Sequence, residues 1–250
     1  MKKRAGEHLP ECLFLEQPFH FCPGCGYGIV TRILAETIDE LGIREEAICV
    51  LGIGCCTFVD QFLNLDIFDA LHGRAPAAAT GLKLAQPEKV IFTYQGDGDL
   101  ASIGIGEIIH AANRGLPITT LMVNNSMYGM TGGQMGATTL LEQKTTTSPV
   151  GRKVHLHGFP MRVAEMFQHL EGTAFLARVS VSSPKRVVQA KRSIRKAFEC
   201  QLENRGFSYV EILSPCVAGL KKSAIDAMTW VGEEMEKYYS VGVIKPPEET

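Results

Sequence analysis

The residues with the most chemistry to offer are two acids and two amides at a fixed separation. Gly96-Asp97-Gly98-Asp99 is followed, after the 25 residues from 99 to 123 read inclusively, by Asn124-Asn125. A carboxylate repels a bare diphosphate, so Asp97 at a turn built to approach one makes sense only with a divalent cation between them. Mg²⁺ takes oxygen ligands, and Asn125 offers an amide oxygen beside carbonyls freed where the chain turns. The pair of segments therefore reads as a Mg²⁺-diphosphate site. GDGDLA also fits the loose G-x-G-x-x-G/A nucleotide pattern, which keeps a Rossmann-type nucleotide-binding oxidoreductase as a rival. Against that rival, no ribose-binding acid closes the next strand about 20 residues on; that strand ends in Asn-Asn.

Cysteine is the second source of chemistry, with eight in the chain. Cys22-Pro23-Gly24-Cys25 at a helix start admits a zinc knuckle, a dithiol redox pair or part of an iron–sulfur site. A dithiol pair expects a βαβ unit before it, and this one comes too early. Zinc wants a second C-x-x-C or Cys/His pair, and none follows. What remains is Cys55-Cys56 and Cys216, so a four-cysteine site has to be assembled from distant loops, which suits a cubane better than a zinc ribbon. A zinc-stabilised, non-enzymatic scaffold is the second rival. Cys55 and Cys56 point opposite ways on extended chain, so only one should ligate, and chemistry alone does not choose. Cys12 reads as a plain thiol, Cys49 as a core thiol in a strand, and Cys200 as helical.

The elements that must position these groups follow from hydrophobic period. Val90–Tyr94 and Ile118–Val123 are continuous apolar strands flanking a helix-period segment, a βαβ unit with polar residues at both strand ends, where open parallel sheets bind ligands. GYGIVTRILAETIDELG after Cys25 is an amphipathic helix stopped by Gly42. Ala47–Ile53 reads as the first core strand, broken at Gly52-Ile53-Gly54-Cys55-Cys56. Leu71-His72-Gly73-Arg74-Ala75 introduces a small-residue helix. Residues 129–151 are rich in Gly, Thr and Ser without period, a functional loop rather than an idle one. A helix over Pro160–Leu170, a strand over Ala174–Val181, a basic, solvated helix over Pro184–Leu202, a last strand over Phe207–Leu213 and one amphipathic helix over Ala224–Tyr238 complete the reading.

These elements predict an α/β fold, a mostly parallel sheet with helices on both faces. Residues 1–18 are expected to form an arm lying on a neighbour, 19–216 the binding domain with its cysteine loops, and 217–250 a C-terminal helix and tail. A net charge of −2, with 45% hydrophobic and 21% charged residues, describes an ordinary soluble protein and suggests neither nucleic acid nor a membrane surface. No signal peptide or bilayer-length apolar stretch is read, and the cysteines suit a reducing, cytoplasmic setting.

GDG, 25 residues and NN together resemble the thiamine diphosphate signature, and the continuation NSMYGMTGGQ resembles the β subunit of 2-oxoacid:ferredoxin oxidoreductases. CPGC, GIGC, LHGRA and SPC match the same family, so the resemblance runs from Cys22 to Cys216. It implies thiamine diphosphate, Mg²⁺ and one 4Fe-4S cluster. By that resemblance Mg²⁺ is held by Asp97, the side chain of Asn125 and the carbonyl of Met127. Ile53, Gly54, Cys55, Cys56, Ala70, Leu71, His72, Gly73, Gly98, Asp99, Gly129 and Met130 are the expected cofactor contacts. Cys22, Cys25, Cys55 and Cys216 are the expected cluster ligands, Cys55 being preferred to Cys56 on the motif.

The implied activity is oxidative decarboxylation of a 2-oxoacid to its acyl-CoA, with coenzyme A as co-substrate and electrons passed to ferredoxin. No catalytic residue is expected in this chain: the cofactor-activating glutamate is assigned to an α subunit carrying the pyrimidine-binding domain, alongside γ and ferredoxin-like δ subunits. Arg74 is expected to meet a neighbouring subunit. Family members selective for 2-oxoglutarate carry Lys in TKGQ and often a basic residue three after the GIGC cysteine. Here those positions are Gly132 and Phe58, and Met130 is apolar, so a branched apolar substrate such as 2-oxoisovalerate is favoured, with 2-oxoglutarate second.

Overall fold

A computed structural model describes residues 9–14 and 20–248. In order these form α1 (Gly26–Leu41), β1 (Ala47–Leu51), a 3₁₀ turn (Cys55–Gln61), β2 (Asp66–Asp69), α2 (Ala75–Ala85) and β3 (Val90–Gly96). A π-type turn (Gly98–Ile103) leads into α3 (Ile105–Arg114) and β4 (Thr119–Asn124). Two single turns, α4 (Val154–His157) and α5 (Val163–Met166), precede β5 (Thr173–Ser180), α6 (Pro184–Leu202) and β6 (Phe207–Leu213). The C-terminal segment adds α7 (Val217–Leu220), α8 (Ala224–Trp230), a π-type insertion (Val231–Met235), α9 (Glu236–Tyr238) and β7 (Gly242–Lys245).

The strands make one seven-stranded sheet in the order β2-β1-β3-β4-β6-β5-β7, parallel except for β7 against β5. β1, β4 and β6 are buried at every residue and β3 at all but its last. A parallel strand covered on both faces has no polar side to show, which is why these segments read as unbroken apolar runs. α1 and α6 supply one cover, with Phe198 edge-on to Phe92 at 5.4 Å. α2 and α3 supply the other, through Ala75, Ala79, Ile108 and Ala112. Each fully buried Leu or Phe in these layers contributes about 2 kcal/mol. In-register pairing of β3 with β4 (Gly96 opposite Val123) sets Asp97 and Asn124-Asn125 at adjacent strand ends.

Several expectations need correction. Phe207–Leu213 is not the last strand, because the tail returns as β7 along β5. Within the expected C-terminal helix and tail, Gly242–Lys245 joins the sheet. The helix expected over Pro160–Leu170 shrinks to Val163–Met166. Arg74 meets Glu107 of its own chain. α6 carries its charges on one face: Ala190, Ile194, Ala197 and Phe198 are buried, and Lys191 on its outer side pairs with Glu36 and Glu40. Of the N-terminal arm, residues 9–14 lie on this chain's own core, with Cys12 buried and Leu13 bridged to Leu63. The rest of that expectation, at 1–8 and 15–18, lies outside the described residues. Among those described, no helix is long and apolar enough to cross a membrane.

Candidate active site

β3 delivers Asp97 and Asp99 to different tasks. The Asp99 side chain is wholly buried, and its Oδ1 accepts from the N–H groups of Ile53 at 3.1 Å and Gly73 at 2.8 Å. His72 Nδ1 and Gln95 Nε2 complete its partners. One carboxylate thus braces the loop after β1 and the loop before α2 from beneath. Gly52 permits this, since a Cβ there would stand 2.0 Å from Asp99 Oδ2.

Asp97 faces the opening. It is 2% exposed, Thr138 Oγ1 donates to its Oδ2, and burial pushes the carboxyl up to about 6 against the pull of Thr138 and the Asn125 N–H. A buried carboxylate that resists ionising is what a bound cation reverses. On the neighbouring strand end Asn124 and Asn125 divide as the two acids do. Asn124 Nδ2 donates to Glu211 at 2.7 Å and its Oδ1 accepts from Ser126 N–H at 3.0 Å, so it shapes the turn. Asn125 borders the opening.

The resulting cleft holds about 150 Å³ and is lined by Tyr27, Ile53, Gly54, Cys55, His72, Gly96, Asp97, Gly98, Asp99, Asn125, Met127, Tyr128, Gly129, Met130 and Thr131. Gly98 leaves room for the Tyr128 ring, 2.5 Å from where its Cβ would be. A larger groove of about 750 Å³ lies elsewhere, between residues 9–11 and α1. It contains none of these groups.

Cysteines close one end of the cleft. A Cβ on Gly129 would lie 3.2 Å from Cys216 Sγ, 3.9 Å from Cys55 Sγ and 3.5 Å from Asn125 Nδ2, so both thiols and the amide meet at one backbone position. Cys25 N–H bonds Cys22 O at 2.9 Å and Gly26 N–H reaches Pro215 O at 3.4 Å, which brings the CPGC turn onto the SPC turn. Charge on Cys22, Cys25 or Cys216 is felt at the Cys55 thiol, and charge on Cys22 at Cys25 and Cys216 as well. Burial pushes the Cys25 thiol up to about 11, Cys55 up to about 12, and Cys216 upward. Among the described residues no three His, Cys, Asp or Glu side chains converge on a single metal ion.

Residues 52–212 match the family described as "Thiamine pyrophosphate enzyme, C-terminal TPP binding domain". Ketoisovalerate oxidoreductase subunit VorA of Methanothermobacter thermautotrophicus is 44% identical over 222 residues, covering 89% of this chain and 46% of that protein. 2-Oxoglutarate synthase subunit KorB of Methanocaldococcus jannaschii is 39% identical over 201 residues, covering 80% of this chain and 70% of that protein. The structure of 2-oxoglutarate:ferredoxin oxidoreductase from Magnetococcus marinus, with 2-oxoglutarate, coenzyme A and succinyl-CoA bound, superposes with a TM-score of 0.78 at 25% identity over 98% of this chain and 87% of that one. The chain belongs to the thiamine pyrophosphate-binding subunits of the 2-oxoacid:ferredoxin oxidoreductase family. It spans about half the length of the VorA proteins it matches.

Within this family fold, the expected contacts sort into three groups. Ile53, Gly54, Cys55, His72, Gly98, Asp99, Gly129 and Met130 line the cleft together with Asp97, Asn125 and Met127. Gly73 and Ala70 stand behind it, Gly73 held by Asp99 and Ala70 by Leu51 O at 3.0 Å. Leu71 is 79% exposed and is not part of the cleft lining. Cys56 does not reach the cleft: its Sγ is buried and donates to Gly52 O at 3.4 Å, because the 3₁₀ turn sends successive side chains to different sides. Four lining residues, Tyr27, Gly96, Tyr128 and Thr131, were not among the expected contacts, and neither was Thr138, which bonds Asp97 without lining the cleft. Tyr27 stacks on Phe21 at 5.5 Å and looks like a core aromatic of an amphipathic helix. Thr138 sits in a Thr-rich loop with no period to mark it.

Proposed function

We propose that this chain is the thiamine diphosphate-binding subunit of an enzyme that oxidatively decarboxylates a 2-oxoacid to its acyl-CoA, with ferredoxin as electron acceptor. The observation that carries this reading is the meeting of Asn125, Cys55 and Cys216 at Gly129. The amide side chain that would serve the metal and two of the expected cluster ligands adjoin there, where one wall of the cleft meets the other.

Asp97, the Asn125 side chain and the Met127 carbonyl form an oxygen donor set that fits Mg²⁺ better than a softer ion. Gly54 and Gly98 keep the wall open to a diphosphate. Cys22, Cys25, Cys55 and Cys216 suit one 4Fe-4S cluster, whose four irons let the sulfurs stand further apart than around a single zinc. Thiamine diphosphate supplies the electron sink for decarboxylation, and the cluster supplies one-electron transfer. The chain's own residues hold and orient: Asp99 fixes the two loops that face the cofactor, and Tyr27 walls the cleft from α1.

Among the described residues no Lys or Arg lines the cleft, while Ile53 and Met130, 40% and 47% exposed, sit at its rim. A second substrate carboxylate finds no cation here, which favours a branched apolar 2-oxoacid such as 2-oxoisovalerate over 2-oxoglutarate. The activating glutamate and pyrimidine-binding domain are assigned to an α subunit, with γ and ferredoxin-like δ subunits completing a cytoplasmic complex. The complex isolated through a tag on this chain is assayed for dye reduction with coenzyme A and each of 2-oxoisovalerate, 2-oxoglutarate and pyruvate. Thiamine-dependent reduction, fastest with 2-oxoisovalerate, is expected. Preference for 2-oxoglutarate overturns the substrate assignment, and binding of an adenine dinucleotide without thiamine dependence overturns the whole reading.

A further inference from the structure

We propose that Thr138 and Thr139 are positioning residues that aim the two halves of the metal site at each other, one hydroxyl on the acid at the end of β3 and the next on the turn after β4. The inference rests on the Mg²⁺ assignment above and adds residues to it.

Both threonines are fully buried. Thr138 Oγ1 donates to Asp97 Oδ2. Thr139 Oγ1 donates to Ser126 O at 2.6 Å and accepts from Gly136 N–H at 2.9 Å. Ser126 lies between Asn125 and Met127 with φ of 62°, a left-handed conformation that a non-glycine residue keeps only when its surroundings insist on it. Gln143 Nε2 adds a bond to Ser126 Oγ at 2.8 Å. A single loop therefore grips the carboxylate and the strained turn at once.

That loop is itself anchored. Arg152, 5% exposed, sends Nη1 to the carbonyls of Gly136, Ala137 and Thr139 at 3.2, 2.9 and 2.8 Å. The one carbonyl it leaves, that of Thr138, accepts from Tyr239 Oη at 2.7 Å. Tyr239 belongs to the C-terminal segment and packs with Leu140, Leu213, Val231 and Met235. All four carbonyls from 136 to 139 thus have donors behind the loop, which leaves the Thr138 hydroxyl to face Asp97. A buried guanidinium with carbonyl rather than carboxylate partners is costly, and its placement makes sense where a loop must be held to a fixed position.

The test uses the tagged complex freed of divalent metal and titrated with Mg²⁺ at saturating thiamine diphosphate, following binding by calorimetry and the thermal midpoint of the metal-free protein. Thr138→Val keeps the shape and loses the hydroxyl. It is expected to raise the Mg²⁺ concentration for half-saturation about tenfold, the worth of one hydrogen bond to a charged group, with the metal-free midpoint little changed. Thr138→Ser is expected to restore near wild-type binding. Tyr239→Phe, which loses the hydroxyl's bonds to Thr138 O and Met161 O behind the loop, should shift the requirement the same way by less, and it carries the test should the valine variant not fold. An unchanged Mg²⁺ requirement in Thr138→Val or Tyr239→Phe, or equal defects in the valine and serine variants, overturns the inference while leaving the proposed function standing. If the wild-type complex shows no Mg²⁺-dependent thiamine diphosphate binding, the proposed function fails and this inference with it.

Discussion

The two walls of the cleft are built on opposite terms. The oxygen wall is arranged by the fold before any ligand arrives: Asp99 collects four donors from three segments, Asn124 locks its turn, and Thr138 meets Asp97. The sulfur wall draws Cys22, Cys25, Cys55 and Cys216 from three distant parts of the chain. The Gly219 N–H at 3.4 Å from Cys216 Sγ is a weak restraint on it, and the nearby Ser214 hydroxyl is buried without a partner. Burial favours the protonated form of the Cys25, Cys55 and Cys216 thiols, so under the proposed function these sulfurs would become ligands only as iron displaced their protons. One wall is preorganised, and the other is completed by what it binds.

Removing a ligand from the sulfur wall should have the largest effect. Cys216→Ala is expected to abolish iron and sulfide content and the brown colour of the complex, whereas Cys56→Ala should keep both and cost about 1 kcal/mol of stability as a small core truncation. Equal iron loss in the two variants would reassign the third ligand. Next comes Asp97→Asn. It should weaken Mg²⁺-dependent thiamine diphosphate binding at least about 100-fold, the scale of losing a charged metal ligand, while iron content holds, because the walls are organised independently. Joint loss of iron and thiamine would dissolve the contrast between them. Third is the support beneath Asn124. Glu211 is fully buried, and Arg178, 1% exposed, bonds it at 2.8 Å. Glu211→Ala leaves the guanidinium with Glu165 as its one acidic partner, beside Ser240 O and the Tyr239 ring, and should cost about 3 kcal/mol, read as a lowered urea midpoint.

How far the sequence disclosed this depends on whether a residue's role is local. Val90–Gly96 and Thr119–Asn124 were legible because strands covered on both faces must be apolar throughout, and the polar residues that stop them then declare a site. Pro184–Leu202 was legible because Ser183 caps it, accepting from Arg186 N–H, and proline opens it. β2 and β7 were not, since Asp66–Asp69 and Gly242–Lys245 are exposed edge segments held by pairing with β1 and β5, without a hydrophobic period of their own. Asp99 was legible as an acid near a diphosphate but not as a brace, because its partners at 53, 72 and 73 are distant in sequence. The same holds for Thr138, which acquires meaning only when the loop folds back onto Asp97. Chemistry left Cys55 and Cys56 undivided, and the 3₁₀ turn separates them.

The smallest effect sharpens the contrast most. Arg74 and Glu107 form an ion pair with side chains 46% and 26% exposed, just outside the His72-Gly73 loop. Exposed pairs contribute less than about 1 kcal/mol and fade with salt. If the loop is held from beneath by Asp99, Arg74→Ala should shift the thermal midpoint by no more than a few degrees at low salt, less at high salt, and leave Mg²⁺ and thiamine diphosphate affinity unchanged. A marked loss of affinity in that variant would mean that the loop needs its outer strut. The oxygen wall would then be only partly preorganised, and its difference from the sulfur wall one of degree.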